Sequence, residues 1–192
     1  MEVFWEHGYE GSSVSELTAA MGINAPSLYA AFSCKENLFH EAVALYEEQE
    51  GVSLPDLASA REAVAGLLRN GAIAYTEAGK PHGCLIVLGA TTYTPKTEGI
   101  RDHLAERRRA SSAGLRERLD RATAEGELSP EVDTGVLAGY VTTVLTGMST
   151  QARDGASREE LLAIADAAMA AWDRLAGDPA GWAGRSEPTA SR

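Results

Sequence analysis

The chain has little with which to build a disulfide framework, a membrane span or a basic nucleic-acid surface. Two cysteines in 192 residues, Cys34 and Cys84, cannot staple a fold, which agrees with a reducing compartment. No apolar run approaches the roughly 18 residues of a membrane span, and Met1 is not followed by the basic stretch and apolar core of a secretory leader. A cytoplasmic protein with no membrane partner is expected. Basic residues are scarce too: 17 Lys and Arg stand against 28 Asp and Glu, a formal charge of -11. That excess of acid argues against a broad phosphate-binding surface. Catalytic signatures are also missing. There is no H-E-x-x-H, glycine-rich phosphate loop or nucleophile elbow, and His7, His40, His82 and His103 are scattered. A protein that is not an enzyme, with no metal and no cofactor, is the expectation.

Helical periodicity is present almost everywhere. Val64, Leu67, Leu68, Gly71, Ala72 and Tyr75 follow the spacing that lines one face of a helix. The same series recurs at Leu137, Tyr140, Val141, Val144, Leu145 and Met148, and at Leu161, Ile164, Ala165, Ala168, Met169 and Trp172. A fourth helix is expected from about Thr97 to Ala124, with Ile100, Leu104, Leu115 and Leu119 set among charges that leave most of its circumference exposed. Its Arg107-Arg108-Arg109 run reads as a solvated face. Gly and Pro punctuate the pattern at residues 51–55, 79–81, 94–95, 126–130 and 154–155. The fold class is all-α, with a polar tail over 177–192 read as disordered.

Residues 13–39, SVSELTAAMGINAPSLYAAFSCKENLF, form the most informative stretch. Ser13 and Glu16 make the S-x-x-E pattern of a capping box. A short helix then begins near Val14, buries Val14, Leu17 and Met21, and stops at Gly22, which takes the positive φ of a tight exit. Asn24 caps a second helix with Pro26 in its first turn, and Leu28 and Phe32 hold it against the first. A helix of two turns is marginal alone. Two of them joined by a four-residue turn form a helix-turn-helix, whose second helix can enter a groove.

These residues resemble the TetR family of transcriptional regulators. The resemblance rests on Phe4, the Gly8-Tyr9 pair ahead of Ser12-Ser13, Gly22-Ile23, the Tyr29-x-x-Phe32 step, and Lys35-Glu36 with Leu38 opening the next helix. Thr18 departs from the pattern, since alanine is usual four positions before the turn glycine. The remainder, including GCLIVLGA and GMSTQARDGASREELL, is similar to the helical ligand-binding and dimerisation domain of that family. The division expected is a three-helix DNA-binding domain over 1–50 and a larger helical domain over 51–176.

The resemblance implies a ligand-responsive regulator, a repressor released from near-palindromic double-stranded DNA by a small, largely apolar organic effector. Ser13 would meet phosphate, Asn24, Ala25 and Ser27 would approach base edges, and Tyr29 and Lys35 would reach phosphate oxygens. Capping alone would also account for Ser13 and Asn24. Residues 1–50 hold one basic residue, Lys35, against Glu2, Glu6, Glu10, Glu16, Glu36, Glu41, Glu47, Glu48 and Glu50. Family members usually carry further residues ahead of this point, so one to two dozen upstream residues are expected to be missing from the chain as given.

In the larger domain the resemblance implies a homodimer, with an interface expected at Leu137, Val141, Leu145, Leu161, Ala165, Ala168, Met169 and Trp172. Recognition helices would then lie about one DNA turn, roughly 34–36 Å, apart or somewhat more. An effector pocket is expected among Tyr75, Cys84, Val87, Leu88, Thr91, Tyr140, Val144 and Met148, for each of which plain core is the competing reading. The alternative of another class is a helical small-molecule, thiol or metal sensor that does not bind DNA, using His82, Cys84 and His103.

Overall fold

A computed structural model describes residues 1–177, and every regular element among them is helical. In chain order these are α1 (Glu2–Gly11), α2 (Val14–Met21), α3 (Ala25–Phe32), α4 (Lys35–Gln49), α5 (Ala60–Ala74), α6 (Leu85–Leu88), α7 (Glu98–Ala124), α8 (Thr134–Arg153) and α9 (Arg158–Gly177). The tail expected from residue 177 lies, apart from Gly177 at the end of α9, outside the described residues.

Local chemistry starts most of these helices. Ser13 accepts from Glu16 N–H at 3.1 Å while its own N–H donates to the Glu16 carboxylate at 2.8 Å. Asn24 Oδ1 accepts from Ser27 N–H at 2.9 Å, and Ser59, Asp133 and Ser157 cap α5, α8 and α9 in the same way. Gly22 ends α2 at φ 66°, ψ 27°, and no atom lies within 4 Å of where a Cβ would stand, so conformation rather than space calls for glycine.

Two apolar clusters hold the helices together. The larger joins α5, the second half of α7, α8 and α9 through Leu68, Leu119, Met148, Leu161 and Trp172. Gly71 permits the close crossing of α5 and α8, because a Cβ there would stand 2.8 Å from Leu145 Cδ2. The second cluster gathers Phe4, Trp5, Leu17, Leu28, Phe39, Val43 and Tyr46 from α1 to α4. Phe4 meets Phe39 edge-on at 5.0 Å, and Trp5 meets Tyr46 at 4.8 Å. Leu85 and Ile86 of α6 and Ile100 and Leu104 of α7 complete this cluster, so the core of the first four helices crosses residue 50.

Two sequence expectations change, the burial of Met21 and the solvated reading of the arginine run. Met21 is 42 % exposed, because α2 ends at the turn while Leu17 and Leu28 fill the space between α2 and α3. Thr18, the departure from alanine, is buried and returns its hydroxyl to the Val14 and Ser15 carbonyls at 2.9 and 3.0 Å. The arginine run of α7 is not merely solvated: Arg107 forks onto Glu47 of α4, and Arg108 donates to Ile86 O at 2.6 Å.

Candidate nucleic-acid interface

The outer face of α3 is open to solvent. Leu28 points inward, whereas Asn24, Pro26, Ser27, Tyr29 and Ala30 are exposed and Ala25 is half-buried. Tyr29 is 48 % exposed. Ser13 is exposed at the start of α2, and its hydroxyl, already an acceptor for the cap, keeps a proton to donate to an oxyanion. The backbone and side-chain hydrogen bonds to Ser13 hold the Glu16 carboxyl below the usual carboxylate range. The structure therefore brings Ser13, Asn24, Ala25, Ser27 and Tyr29 to neighbouring helix starts and one exposed helix.

Lys35 differs from them. Its Nζ donates to Tyr9 O at 2.5 Å and lies 4.2 Å from the centroid of the Tyr9 ring. The charge thus sits where the carbonyl end of α1 favours a cation. Burial pushes its pKa down, opposed by Glu10 and Glu16. The family resemblance assigns this ammonium to phosphate alone; in the fold it also fastens α1 to α4.

The larger bundle redistributes the other expected sites. Tyr75 and Met148 are buried in its core, against which Cys84, Tyr140, Val144 and Leu145 pack. Cys84 lies beside the Tyr46 and Tyr75 side chains, and burial raises the pKa of all three groups. Tyr140 Oη donates to Ala168 O at 3.4 Å. Val87 and Leu88 are half-buried on α6, while Thr91 is exposed on the loop beyond it and cannot line an enclosed pocket with the others. A groove of about 390 Å³ lies elsewhere, between α5 and α9, walled by Arg61, Arg69 and Asp166 over Ala165 and Met169.

The expected dimer residues need a larger correction. Leu137, Val141, Leu161, Ala165, Ala168, Met169 and Trp172 are buried in the chain's own core, and Leu145 is half-buried against it. Their apolar area is already removed from water within the chain. Nor do His82, Cys84 and His103 assemble a metal site: among the described residues no group of three or more His, Cys, Asp or Glu is placed to hold an ion. His103 instead meets His40 of α4, ring centroids 4.2 Å apart.

Sequence reasoning missed the seam between head and bundle. Tyr9 N–H donates to Gly89 O at 2.8 Å, Trp5 Nε1 donates to Gly83 O at 3.1 Å, and Arg153 at the end of α8 donates to the carbonyls of Trp5, Glu6 and His82. Only the Gly8-Tyr9 pair hinted at this joint, since a glycine kept inside a helical pattern usually has a packing reason.

A helix-turn-helix with an exposed second helix, mounted on a larger helical bundle, defines a DNA-binding regulator of the one-component type. The match to family models is in keeping: residues 1–42 match "Bacterial regulatory proteins, tetR family" and residues 62–168 match "Tetracyclin repressor-like, C-terminal domain". The chain belongs to the TetR family. It is 33 % identical over 180 residues to the HTH-type transcriptional repressor ComR of Escherichia coli K12, covering 91 % of this chain and 86 % of that one. A cysteine mutant of the TetR family regulator CifR, solved with 26-bp operator DNA, is 47 % identical with a TM-score of 0.85, covering 89 % of this chain and 92 % of that one. AibR, solved with isovaleryl coenzyme A and operator DNA, shares the fold at 22 % identity and a TM-score of 0.59, over 88 % of this chain and 90 % of that one. No described helix is long and apolar enough to cross a membrane.

Proposed function

We propose that this protein is a cytoplasmic, homodimeric transcriptional repressor that leaves a near-palindromic operator when a small, largely apolar organic molecule binds its bundle. The observation that carries the reading is the exposed face of α3, where Asn24, Ser27 and Tyr29 stand clear of the core on a capped, fixed helix. Its likeness to the operator-bound CifR supports the same use of the head. Ser27 and Asn24 would face base edges, while Ser13, Tyr29 and Lys35 would face phosphates. Residues 1–50 would form the DNA-binding domain and 51–176 the effector domain, with Tyr75, Cys84, Tyr140, Val144 and Met148 the groups an effector would displace.

The dimer contact belongs on the outward stripe of α8 and α9. Val136 is 64 % exposed, and the stripe continues through Gly139, Thr143 and Gly147 at helical spacing. At either glycine a Cβ would meet no atom within 4 Å, and Ala163, Ile164 and Ala167 of α9 are exposed. Small side chains allow helices of two copies to approach closely. Effector binding would act through unequal affinity for two orientations of the paired heads.

The test is titration of labelled promoter DNA with the full chain at several salt concentrations, followed by competition with scrambled DNA. Sequence-specific binding that weakens with salt supports the repressor; absence of binding at low salt favours the DNA-independent sensor, a reading that the acidic balance of residues 1–50 also fits.

A further inference from the structure

We propose that Arg153 is a positioning residue for operator binding: its guanidinium locks the kink of α1 to the bundle and so sets the orientation in which α3 is presented. The proposal rests on the repressor reading above.

The kink itself is built by Gly8. Its backbone is at φ 68°, ψ 178°, far from helical, so the Tyr9 N–H turns away from Trp5 O and donates to Gly89 O. A Cβ at Gly8 would stand 3.2 Å from that same Gly89 oxygen. The left-handed φ and the close approach both call for glycine here. The break leaves carbonyls of α1 facing the end of α8, and Arg153 takes them: Nη2 donates to Trp5 O at 2.7 Å and Nη1 to Glu6 O at 2.6 Å. The remaining Nε donates to His82 O at 2.8 Å, on the segment that leads into α6. One rigid fork therefore joins α1, the segment before α6 and α8.

This fork differs from the side-chain pairs that cross the seam. Thr97 with Glu10, Arg107 with Glu47 and Lys80 with Glu50 are hydrogen-bonded or ionic side-chain pairs at or near the surface. Pairs of that sort hold position weakly. Three hydrogen bonds from a charged donor to backbone carbonyls hold it far better. The fork also sits at the right place to transmit movement. Trp5 and Phe4 bind α1 to α4 through Tyr46 and Phe39, so the head follows α1. On the other side, α8 carries Tyr140, Val144 and Met148 toward the bundle interior and ends at Arg153. A shift of α8 along its axis cannot occur without moving α1 or breaking the fork.

The experiment compares the full chain with Arg153→Gln and, separately, Trp5→Phe, which removes the donor to Gly83 O and thins the packing on Tyr46. Affinity is measured for an operator at its natural half-site spacing, for the same half-sites moved apart or together by one base pair, and for a single half-site. Arg153→Gln should bind the natural operator about tenfold more weakly, as loss of charge-assisted hydrogen bonds implies. Its preference for natural over altered spacing should flatten, single half-site binding should stay within about twofold, and dimer mass should be unchanged. Trp5→Phe should flatten the preference in part, which keeps the test open if Arg153→Gln misfolds. A merely structural role would lower all affinities alike. Unchanged spacing preference in either folded variant, beside a wild type that discriminates, overturns this inference alone. A wild type that binds no operator overturns the repressor reading and this inference with it.

Discussion

Leu104→Ala tests whether the head folds as part of the whole chain. Leu104 lies on α7, yet its side chain is buried among α1–α4 residues rather than in the larger bundle. Its removal opens a cavity in the cluster that also holds Phe4, Phe39 and Ile100, a core built from both parts of the chain. Truncating a fully buried leucine costs about 2–5 kcal/mol, and about 3 kcal/mol is expected here. With a urea slope of about 2 kcal/mol/M, the midpoint should fall by roughly 1.5 M. The assay uses a background in which Trp172 and Trp182 are phenylalanine, so that emission reports Trp5 in the head while far-ultraviolet ellipticity reports all helices. Both probes should move together in the parent and in the variant. A Trp5 transition that separates from the ellipticity, or a midpoint unmoved by Leu104→Ala, would refute the shared core.

Lys35→Met should lower the melting temperature by a few degrees, since it removes a hydrogen bond to the end of α1 and a cation over Tyr9; it should also weaken DNA binding by a similar factor for every sequence. Thr143→Glu, on the exposed stripe of α8, should shift the proposed dimer toward monomer in sedimentation with helicity unchanged, and an undiminished dimer would move the interface elsewhere. The His40 and His103 pair predicts a pH effect. Burial lowers the His103 pKa, with His40 and Arg107 adding to the shift and Glu47 and Glu106 opposing it; Glu36 lies beside His40. The neutral ring is the favoured native form, so stability is full above the ordinary imidazole value, about 6.5, and declines as pH falls from there toward the depressed value. Thermal melts between pH 7.5 and 5 should show a smaller loss in His103→Gln than in the parent; equal losses would exclude the pair as their source.

What could be read from the sequence was mostly local. The Ser13 and Glu16 box, the Asn24 cap and the Gly22 exit each depend on residues within four positions, and each appears in the fold. The long α7 follows from its spacing in the same way. Periodicity identifies an apolar face without saying what covers it. Spacing alone therefore leaves Leu137, Leu161 and Trp172 open to a second copy, whereas the chain buries these large side chains in its own bundle and leaves the stripe of Gly139, Thr143 and Gly147 outside. Arg153 has no local signature at all, because its partners are backbone carbonyls more than 70 positions away. Arg107 and Arg108 look solvated in the sequence for the same reason, as Glu47 and Ile86 O come from other helices.

The claim that the exposed face of α3 reads DNA is tested most directly by Ser27→Glu. Ser27 is exposed in the first turn of α3, where a carboxylate favours the helix, so folding should be preserved. The same charge would face base edges and phosphates. Anisotropy titration of an operator fragment should show the parent binding at least about a thousandfold more tightly than to scrambled DNA. Ser27→Glu should lose that binding with its melting temperature unchanged. Equal operator affinity in the parent and in a folded Ser27→Glu would contradict the account.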